Sequence, residues 1–201
     1  MMSPEILIVV ALSLAILPVC LGAMTCYLKV SIVLNALKHS FGAQSFPGSF
    51  AVFAIALGIT GVVMKPVADK IFENFEAANI SLSGTSAFRT LLSNFEPLRH
   101  FLVKNSGEKE ITFFANRLNQ PKDSWQVAMA SFLVTELSEA FELALLIYLP
   151  FLAVDIIVAS LLVTAGMFMV SPMIVSLPIK IGLLVIADPW LKLFDVFAAS
   201  Y

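Results

Sequence analysis

The chain of 201 residues has a hydrophobic fraction of 59% and a charged fraction of only 13%, whereas soluble domains hold about 45–50% and about 25% respectively. This composition excludes an ordinary soluble globular fold and predicts an integral membrane protein. The formal net charge of −2, without any run of like charges, argues against nucleic acid as a partner.

The apolar residues fall into four segments, at about 6–24, 48–64, 143–165 and 173–191. Their pattern is helical, and none alternates like a strand. We therefore expect an all-α integral membrane protein of kinked helical hairpins, with an N-terminal hairpin at 1–64 and a C-terminal hairpin at 143–201. Residues 1–5 carry no Lys or Arg, so we expect the first segment to be retained rather than cleaved as a signal peptide.

Between the hairpins, residues 65–142 hold most of the charged side chains and are expected to form a helical, water-exposed layer. One helix in this layer is predicted to begin with Asn105 as its N-cap, three residues before Glu108, and to stop at Asn119. A connector rich in Ser and Gly is predicted at 79–86.

The connection at 25–49 contains Lys29 and Lys38 and no acidic residue. Because short loops rich in Lys and Arg are retained in the cytoplasm, we expect this connection inside the cell. That orientation places residues 65–142 on the periplasmic side.

Two features make the apolar segments poor as ordinary membrane spans. The second and fourth offer fewer uninterrupted apolar residues than the about 20 that a bilayer-crossing helix needs. Pro18, Pro150 and Pro178 also lie inside apolar segments, where each is expected to kink the helix and removes a backbone donor that lipid cannot replace. We therefore expect other protein segments to cover the backbone there.

Ionisable residues accompany the last two apolar segments: Asp155 and Lys180 lie inside them, and Asp188 follows soon after. A charge at bilayer depth costs about 3 kcal/mol, so we expect Asp155 and Asp188 to be buried against a partner, a cavity or a pore. Lys180 either extends its ammonium to an interface or pairs with a glutamate from one helical stripe. The glutamates of this stripe are Glu136, Glu139 and Glu142. Their alternative role is that of a solvated helix face.

A methionine-rich turn at 166–172 is bounded by Gly166 and Pro172. Its central apolar side chains are Met167, Phe168 and Met169. Methionine adapts its shape to varying objects, and an apolar ring can block ions by dewetting, so this turn suits a constriction. The alternative is that these methionines fill gaps in a core.

No set of catalytic or metal-binding residues is evident. The only histidines, His39 and His100, lie in different polar regions, and no serine-hydrolase, zinc-protease or phosphate-loop motif occurs. Cys20 and Cys26 are expected in the core. We therefore expect no catalysis, no cofactor and no metal. A proton-coupled transporter of small solutes, with Asp155 as its ionisable centre, is the alternative from another functional class.

The C-terminal third contains a closely spaced series of short motifs. They are Thr-Glu-Leu-Ser-Glu-Ala-Phe at 135–141, Leu-Pro-Phe-Leu at 149–152 followed by Asp155, Gly-Met-Phe-Met-Val-Ser-Pro at 166–172, Ser-Leu-Pro-Ile-Lys at 176–180, and Asp-Pro-Trp at 188–190. In order and spacing these motifs resemble the SctR/FliP family of type III secretion injectisomes and bacterial flagella. The length and the missing basic signal region look more like the injectisome branch.

The resemblance implies a pore-forming subunit of the type III export gate, which lies in the bacterial inner membrane among its lipids and conducts unfolded secreted proteins. Five copies would assemble with SctS-like and SctT-like subunits, next to an SctU-like switch protein. Met167, Phe168 and Met169 would form a gasket that seals the closed pore, with Phe168 where the family more commonly has a third Met. Glu136 and Lys180 would form an ion pair between subunits. A flagellar export gate of the same family is the alternative.

Overall fold

The computed structural model describes residues 11, 15, 22–42, 48–77 and 93–201. Within these residues every regular element is a helix, which confirms the all-α class. The helices are α1 (Tyr27–Ser40), α2 (Ser49–Ala77), α3 (Glu96–Lys104), α4 (Glu108–Leu118), α5 (Trp125–Thr164), α6 (Pro172–Ala187) and α7 (Pro189–Ala199). Most of the first predicted membrane segment, 6–24, and the whole connector at 79–86 lie outside the described residues.

Two of the helices are long and apolar enough to cross a membrane. α2 has 29 residues and α5 has 40, which correspond to about 44 Å and about 60 Å at the usual helical rise. α6 and α7 qualify only as a pair, because a bend of 60° separates them. The described residues thus contain two or three candidate spans, as expected of an integral membrane protein.

The expected borders between apolar and polar segments fall inside these two long helices. α2 continues through Lys65 and Pro66 to Ala77, so the second apolar segment belongs to a helix long enough to cross a membrane, although its uninterrupted apolar run is short. Lys, Glu and Ala are good helix formers, and the change from apolar to polar sequence therefore does not end the helix. α5 likewise begins at Trp125, well before the apolar run.

The connection predicted at 25–49 contains a packed helix rather than only a loop. In α1, Val30 and Val33 are fully buried, and Leu34 and Leu37 are nearly so. Apolar residues three and four positions apart form one face of a helix. This short amphipathic pattern was the signal that the prediction overlooked.

The chain divides into two compact units. The first unit contains Met1–Leu28 and Thr60–Leu137, and the second contains Lys29–Ile59 and Ser138–Tyr201. The boundaries between the two units fall inside α2 and α5. Each boundary lies within a few residues of a predicted end of the polar layer at 65–142. The placement of that layer in the periplasm stays a prediction.

In the first unit, α3 and the N-terminal part of α5 share an apolar core. Leu102, Val127 and Phe132 are fully buried, and the ring of Phe132 lies 5.7 Å from that of Phe101. Cys26 is also fully buried, as expected, whereas Cys20 lies outside the described residues.

The start of α4 differs from the prediction. Asn105 follows α3, and its side-chain amide donates to the carbonyl oxygen of Phe101 at 2.9 Å, so Asn105 ends one helix instead of beginning the next. α4 begins after Gly107, whose N–H donates to Thr135 Oγ1 at 2.9 Å. The predicted stop is confirmed, because Asn119 takes a φ of 52°, a left-handed conformation that Asn tolerates well.

α1 lies at the centre of the second unit. Leu37 and Phe41 pack against Phe151 of α5, and the two phenylalanine rings meet edge to face at 5.1 Å. Residues of α5, α6 and α7 complete this cluster, namely Ile147, Leu177, Leu184 and Leu193. The same four helices line an apolar groove of about 180 Å³.

Candidate functional site

The C-terminal end of α5 turns sharply into the methionine loop, residues 166–172. Gly166 has a φ of 73°. Its N–H donates to the carbonyl oxygen of Val163 at 3.1 Å, and the N–H of Met167 donates to that of Leu162 at 2.9 Å. This pair of bonds is a Schellman motif, which ends a helix on a left-handed residue. Pro172 then begins α6, at a position where its missing N–H costs nothing.

The side chains at the tip of the methionine loop are exposed in the single chain. Met167 is 48% exposed, Phe168 is 77% exposed and Met169 is fully exposed. They do not pack in the core of their own chain, so the alternative in which these methionines fill core gaps is wrong. Exposed apolar surface costs about 25 cal/mol per Å² in water, and the loop therefore calls for apolar contacts from outside the chain.

Lys180 on α6 is deeply buried near this loop. Its side chain is 2% exposed, and its Nζ donates to Asp155 Oδ2 at 2.6 Å and to the carbonyl oxygen of Ser40 at 2.7 Å. The alternative in which Lys180 extends to an interface is therefore wrong for the single chain. Ser40 is the last residue of α1, so the ammonium also lies at the negative end of that helix.

Asp155 on α5 accepts hydrogen bonds on both carboxylate oxygens. Its Oδ1 accepts from the hydroxyl of Ser176 at 2.5 Å, and that hydroxyl lies 3.2 Å from the carbonyl oxygen of Met173. Ser176 and Lys180 share one face of α6 because they are four residues apart. Ser40, Asp155, Ser176 and Lys180 together form what we call the polar cluster. It joins α1, α5 and α6.

The three glutamates of the predicted stripe have different surroundings. Glu136 is 1% exposed, Glu139 binds Lys29, and Glu142 is exposed. Within its own chain Lys180 pairs with Asp155, a pairing that the sequence reasoning did not propose. The pairing of Glu136 with Lys180 across a subunit interface stays a prediction.

Lys29 is a second buried cation in the second unit. Its Nζ donates to Glu139 Oε2 at 2.6 Å and to Ser200 Oγ at 3.3 Å, and it lies 4.5 Å from the ring centre of Tyr201. Lys38 is also buried. Both lysines on which the predicted orientation depends are thus buried within a packed helix. The cytoplasmic side assigned to this connection stays a prediction.

Asp188 connects α6 to α7 with a φ of 41° and is exposed. The burial expected for Asp188 is thus not found in the single chain, whereas Asp155 is partly buried. α5 and α6 run through Pro150 and Pro178 without a break. The helix break with a 60° bend instead lies at Asp188.

Apolar side chains dominate the surface of the second unit. Many on α5, α6 and α7 are more than half exposed, namely Leu145, Leu146, Ile156, Ile157, Leu161, Ile174, Val185, Ile186 and Leu191. Such a surface marks contact with lipid or with other apolar helices. Among the residues that the structure describes, no group of three or more His, Cys, Asp or Glu side chains is placed to hold a metal ion.

The sequence also matches known proteins over nearly its whole length. The FliP family matches residues 8–197. The chain is 32% identical over 200 residues to the harpin secretion protein HrcR of Erwinia amylovora, covering 94% of this chain and 92% of that protein. It is 32% identical over 209 residues to the Yop proteins translocation protein R of Yersinia pestis, covering 98% and 96%.

The match to a flagellar relative covers a smaller share of that protein. The flagellar biosynthetic protein FliP of Pectobacterium carotovorum is 29% identical over 204 residues, covering 96% of this chain and 77% of that protein. The relatives are thus proteins of harpin secretion, of Yop protein translocation and of flagellar biosynthesis. With a family match from residue 8 to residue 197, the chain belongs to the FliP family.

Proposed function

We propose that this chain is a core pore-forming subunit of a type III secretion export gate in the bacterial inner membrane. It conducts unfolded secreted proteins and performs no catalysis. The methionine loop closes the pore when no substrate is present. The observation that carries this proposal is the exposed apolar tip of the loop, which follows the left-handed turn at Gly166.

Flexible apolar side chains suit a seal around a moving polypeptide. Met167 and Met169 can repack around successive residues of a substrate, and when they meet across a narrow pore they exclude ions by dewetting. The Phe168 side chain is stiffer, but it adds apolar surface between the two methionines of the loop. The turn at Gly166 and the start of α6 at Pro172 provide rigid ends for this adaptable segment.

The relatives support the injectisome branch of the family. This chain is 32% identical to each of the harpin and Yop secretion proteins and 29% identical to the flagellar protein. A flagellar export gate is the second candidate, because that relative nevertheless matches almost the whole of this chain.

The exposed apolar surface of the second unit supports an assembly with other helical subunits. We propose five copies of this chain together with SctS-like and SctT-like subunits, next to an SctU-like switch protein. In such an assembly the exposed apolar faces of α5, α6 and α7 pack against sister helices. In this arrangement the 65–142 layer lies on the periplasmic side of the membrane.

The decisive test of the gasket is a double substitution in the methionine loop. Met167→Ala with Met169→Ala removes most of the apolar bulk at the narrow point, so the closed gate should leak small ions and solutes several-fold more. The leak is measured as the uptake of a small ion by cells that express the gate, followed with a fluorescent indicator inside the cells. Met64→Ala with Met129→Ala removes as many methionines outside the loop and should leave the leak at the wild-type level.

Measuring assembly and secretion together with the leak separates a sealing defect from a folding defect. A loop variant that leaks while a blue-native gel shows the assembled gate supports the gasket. An assembled loop variant whose leak and secretion both match wild type refutes the gasket role.

The proposed ion pair between Glu136 and Lys180 of neighbouring subunits needs a test that adds no new charge next to Asp155. Charge reversal at Lys180 would place a second carboxylate against Asp155, which is a like-charge contact. Cysteines at the two positions avoid this problem. In a chain whose native cysteines are replaced by Ala, Glu136→Cys with Lys180→Cys should give disulfide-linked oligomers on a non-reducing gel. Cross-links confined within one chain would refute the inter-subunit pairing.

A further inference from the structure

Gly42, just after α1, lies directly against the start of α6. Its φ is 70°, and a Cβ added to it would lie 2.7 Å from Met173 Cγ and 2.9 Å from Met173 Sδ. Real Cβ atoms essentially never approach neighbours so closely, so any larger residue at position 42 requires the Met173 side chain, which is 52% exposed, to shift. Met173 is the second residue of α6, immediately after the methionine loop.

The polar cluster also holds the end of α1 and the start of α6 together. Lys180 Nζ donates to the carbonyl oxygen of Ser40 at the end of α1. The hydroxyl of Ser176, which bonds to Asp155, lies 3.2 Å from the carbonyl oxygen of Met173. The entry of the methionine loop into α6 is therefore fixed on α1 by an apolar contact and by a chain of hydrogen bonds.

Among the other glycines that the structure describes, Gly107 also has a very close neighbour, but there the nearest atom is a carboxylate oxygen at the far end of the flexible Glu110 side chain. A Cβ added to Gly58, Gly61 or Gly182 meets nothing within 4 Å. Gly166 combines a φ of 73° with open space, so its requirement is conformational only. At Gly42 both the backbone conformation and the neighbouring side chain require glycine.

We infer that Gly42 is a positioning residue for the methionine loop. By admitting the Met173 side chain against the end of α1, it sets where the loop joins α6 and therefore where Met167 and Met169 stand. This inference rests on the proposed function, in which the loop seals the pore. It makes the end of α1, far away in sequence, a determinant of how well the closed gate seals.

The test is a double-mutant cycle between the two contacting residues. Gly42→Ala places a methyl group in the space of the Met173 side chain, so the loop should shift and the leak should rise several-fold toward that of the variant lacking Met167 and Met169. Met173→Ala removes the obstructed side chain. In the Gly42→Ala background it should lower the leak toward that of Met173→Ala alone, and any remaining difference reflects the strain of alanine at a φ of 70°. Gly58→Ala, in an open helical position, is the matched control and should leave the leak unchanged.

A second readout follows the loop itself without reference to leak. In a chain without native cysteines, the rate at which maleimide labels Met169→Cys in the assembled gate should change with Gly42→Ala and return with Met173→Ala added. If Gly42→Ala prevents assembly, Met173→Phe tests the same contact from α6 with the Gly42 backbone untouched, and it should raise the leak and change the labelling rate.

The outcomes separate the two proposals. If the variant lacking Met167 and Met169 does not leak, the gasket fails, and the labelling rate still decides whether Gly42 positions the loop. If that variant leaks but neither Gly42→Ala nor Met173→Phe alters the leak or the labelling of an assembled gate, the inference is overturned. A leak in Gly42→Ala that persists unchanged after Met173→Ala is added also overturns it.

Discussion

The two units place their charges and their apolar side chains in opposite ways. In the first unit the apolar core lies inside, and its charged residues are largely at the surface, as with Arg99, Glu96 and Asp123. In the second unit, Lys29 and Lys180 are buried in ion pairs, while many large apolar side chains face outward. The contrast is one of degree, because Glu136 is buried and Phe72 and Phe113 are exposed in the first unit. The described helices of the first unit are closer to a protein in water, and those of the second to one surrounded by apolar material.

This difference also explains why the two units depend on different interactions. A surface ion pair contributes about 0–1 kcal/mol because water screens it. Removing one partner of a buried pair costs about 3–5 kcal/mol, since it leaves an uncompensated charge. If the comparison is correct, charge substitutions should have large effects in the second unit and small ones in the first.

The largest effect is expected from Asp155→Ala. Lys180 would then be buried with no carboxylate in contact, at a cost of about 3–5 kcal/mol. Replacing both residues by apolar ones of similar size, Asp155→Leu with Lys180→Met, removes both charges and should cost less than the single change. Unfolding of the purified chain in mixed detergent micelles, followed by circular dichroism, measures the difference.

Asp188→Ala is the matched control, because this aspartate is exposed on the same unit. It should change the free energy of unfolding by less than about 1 kcal/mol. If Asp155→Ala and Asp188→Ala lowered the free energy of unfolding equally, the contrast between buried and exposed charges, on which the comparison depends, would be wrong.

A smaller effect is expected at Lys29. Lys29→Met removes the buried cation itself and leaves Glu139, whose side chain is 48% exposed and can be hydrated. The loss is therefore about 1.5–3 kcal/mol, the range for a hydrogen bond to a charged group. Lys29→Arg keeps the charge and serves as the control. If Lys29→Met were as damaging as Asp155→Ala, the exposure of the remaining partner would not determine the cost.

Sequence patterns predicted the helical class and the turn at 166–172, because apolar periodicity and the Gly and Pro signals are local. They did not predict that α2 runs on to Ala77, since a helix ends where its capping groups allow and not where hydrophobicity changes. They also missed the pairing of Asp155 with Lys180 and the contact of Gly42 with Met173. Both join residues that are distant in sequence, and only the packing of α1 against α5 and α6 brings them together.

The smallest effect is expected in the first unit, at Glu96. Arg99 donates hydrogen bonds to this carboxylate, which lowers the pKa of Glu96 below its ordinary value of 4.5. A lowered pKa in the folded state contributes stability that is present above pH 4.5 and is lost as the pH falls through the folded value. Because the Glu96 side chain is 53% exposed, water and salt screen the pair.

Glu96→Gln should therefore cost no more than about 1 kcal/mol at neutral pH, and the difference from wild type should shrink at low pH and at high salt. Denaturation of the full chain at pH 7 and below pH 4, each at low and high salt, measures both dependences. Glu73→Gln removes an exposed carboxylate of the same unit that forms no ion pair among the described residues, and it controls for the change in net charge. A loss at Glu96 as large as that at Asp155 would show that the first unit, too, depends on its ion pairs, and the contrast between the units would then lie in their surfaces alone.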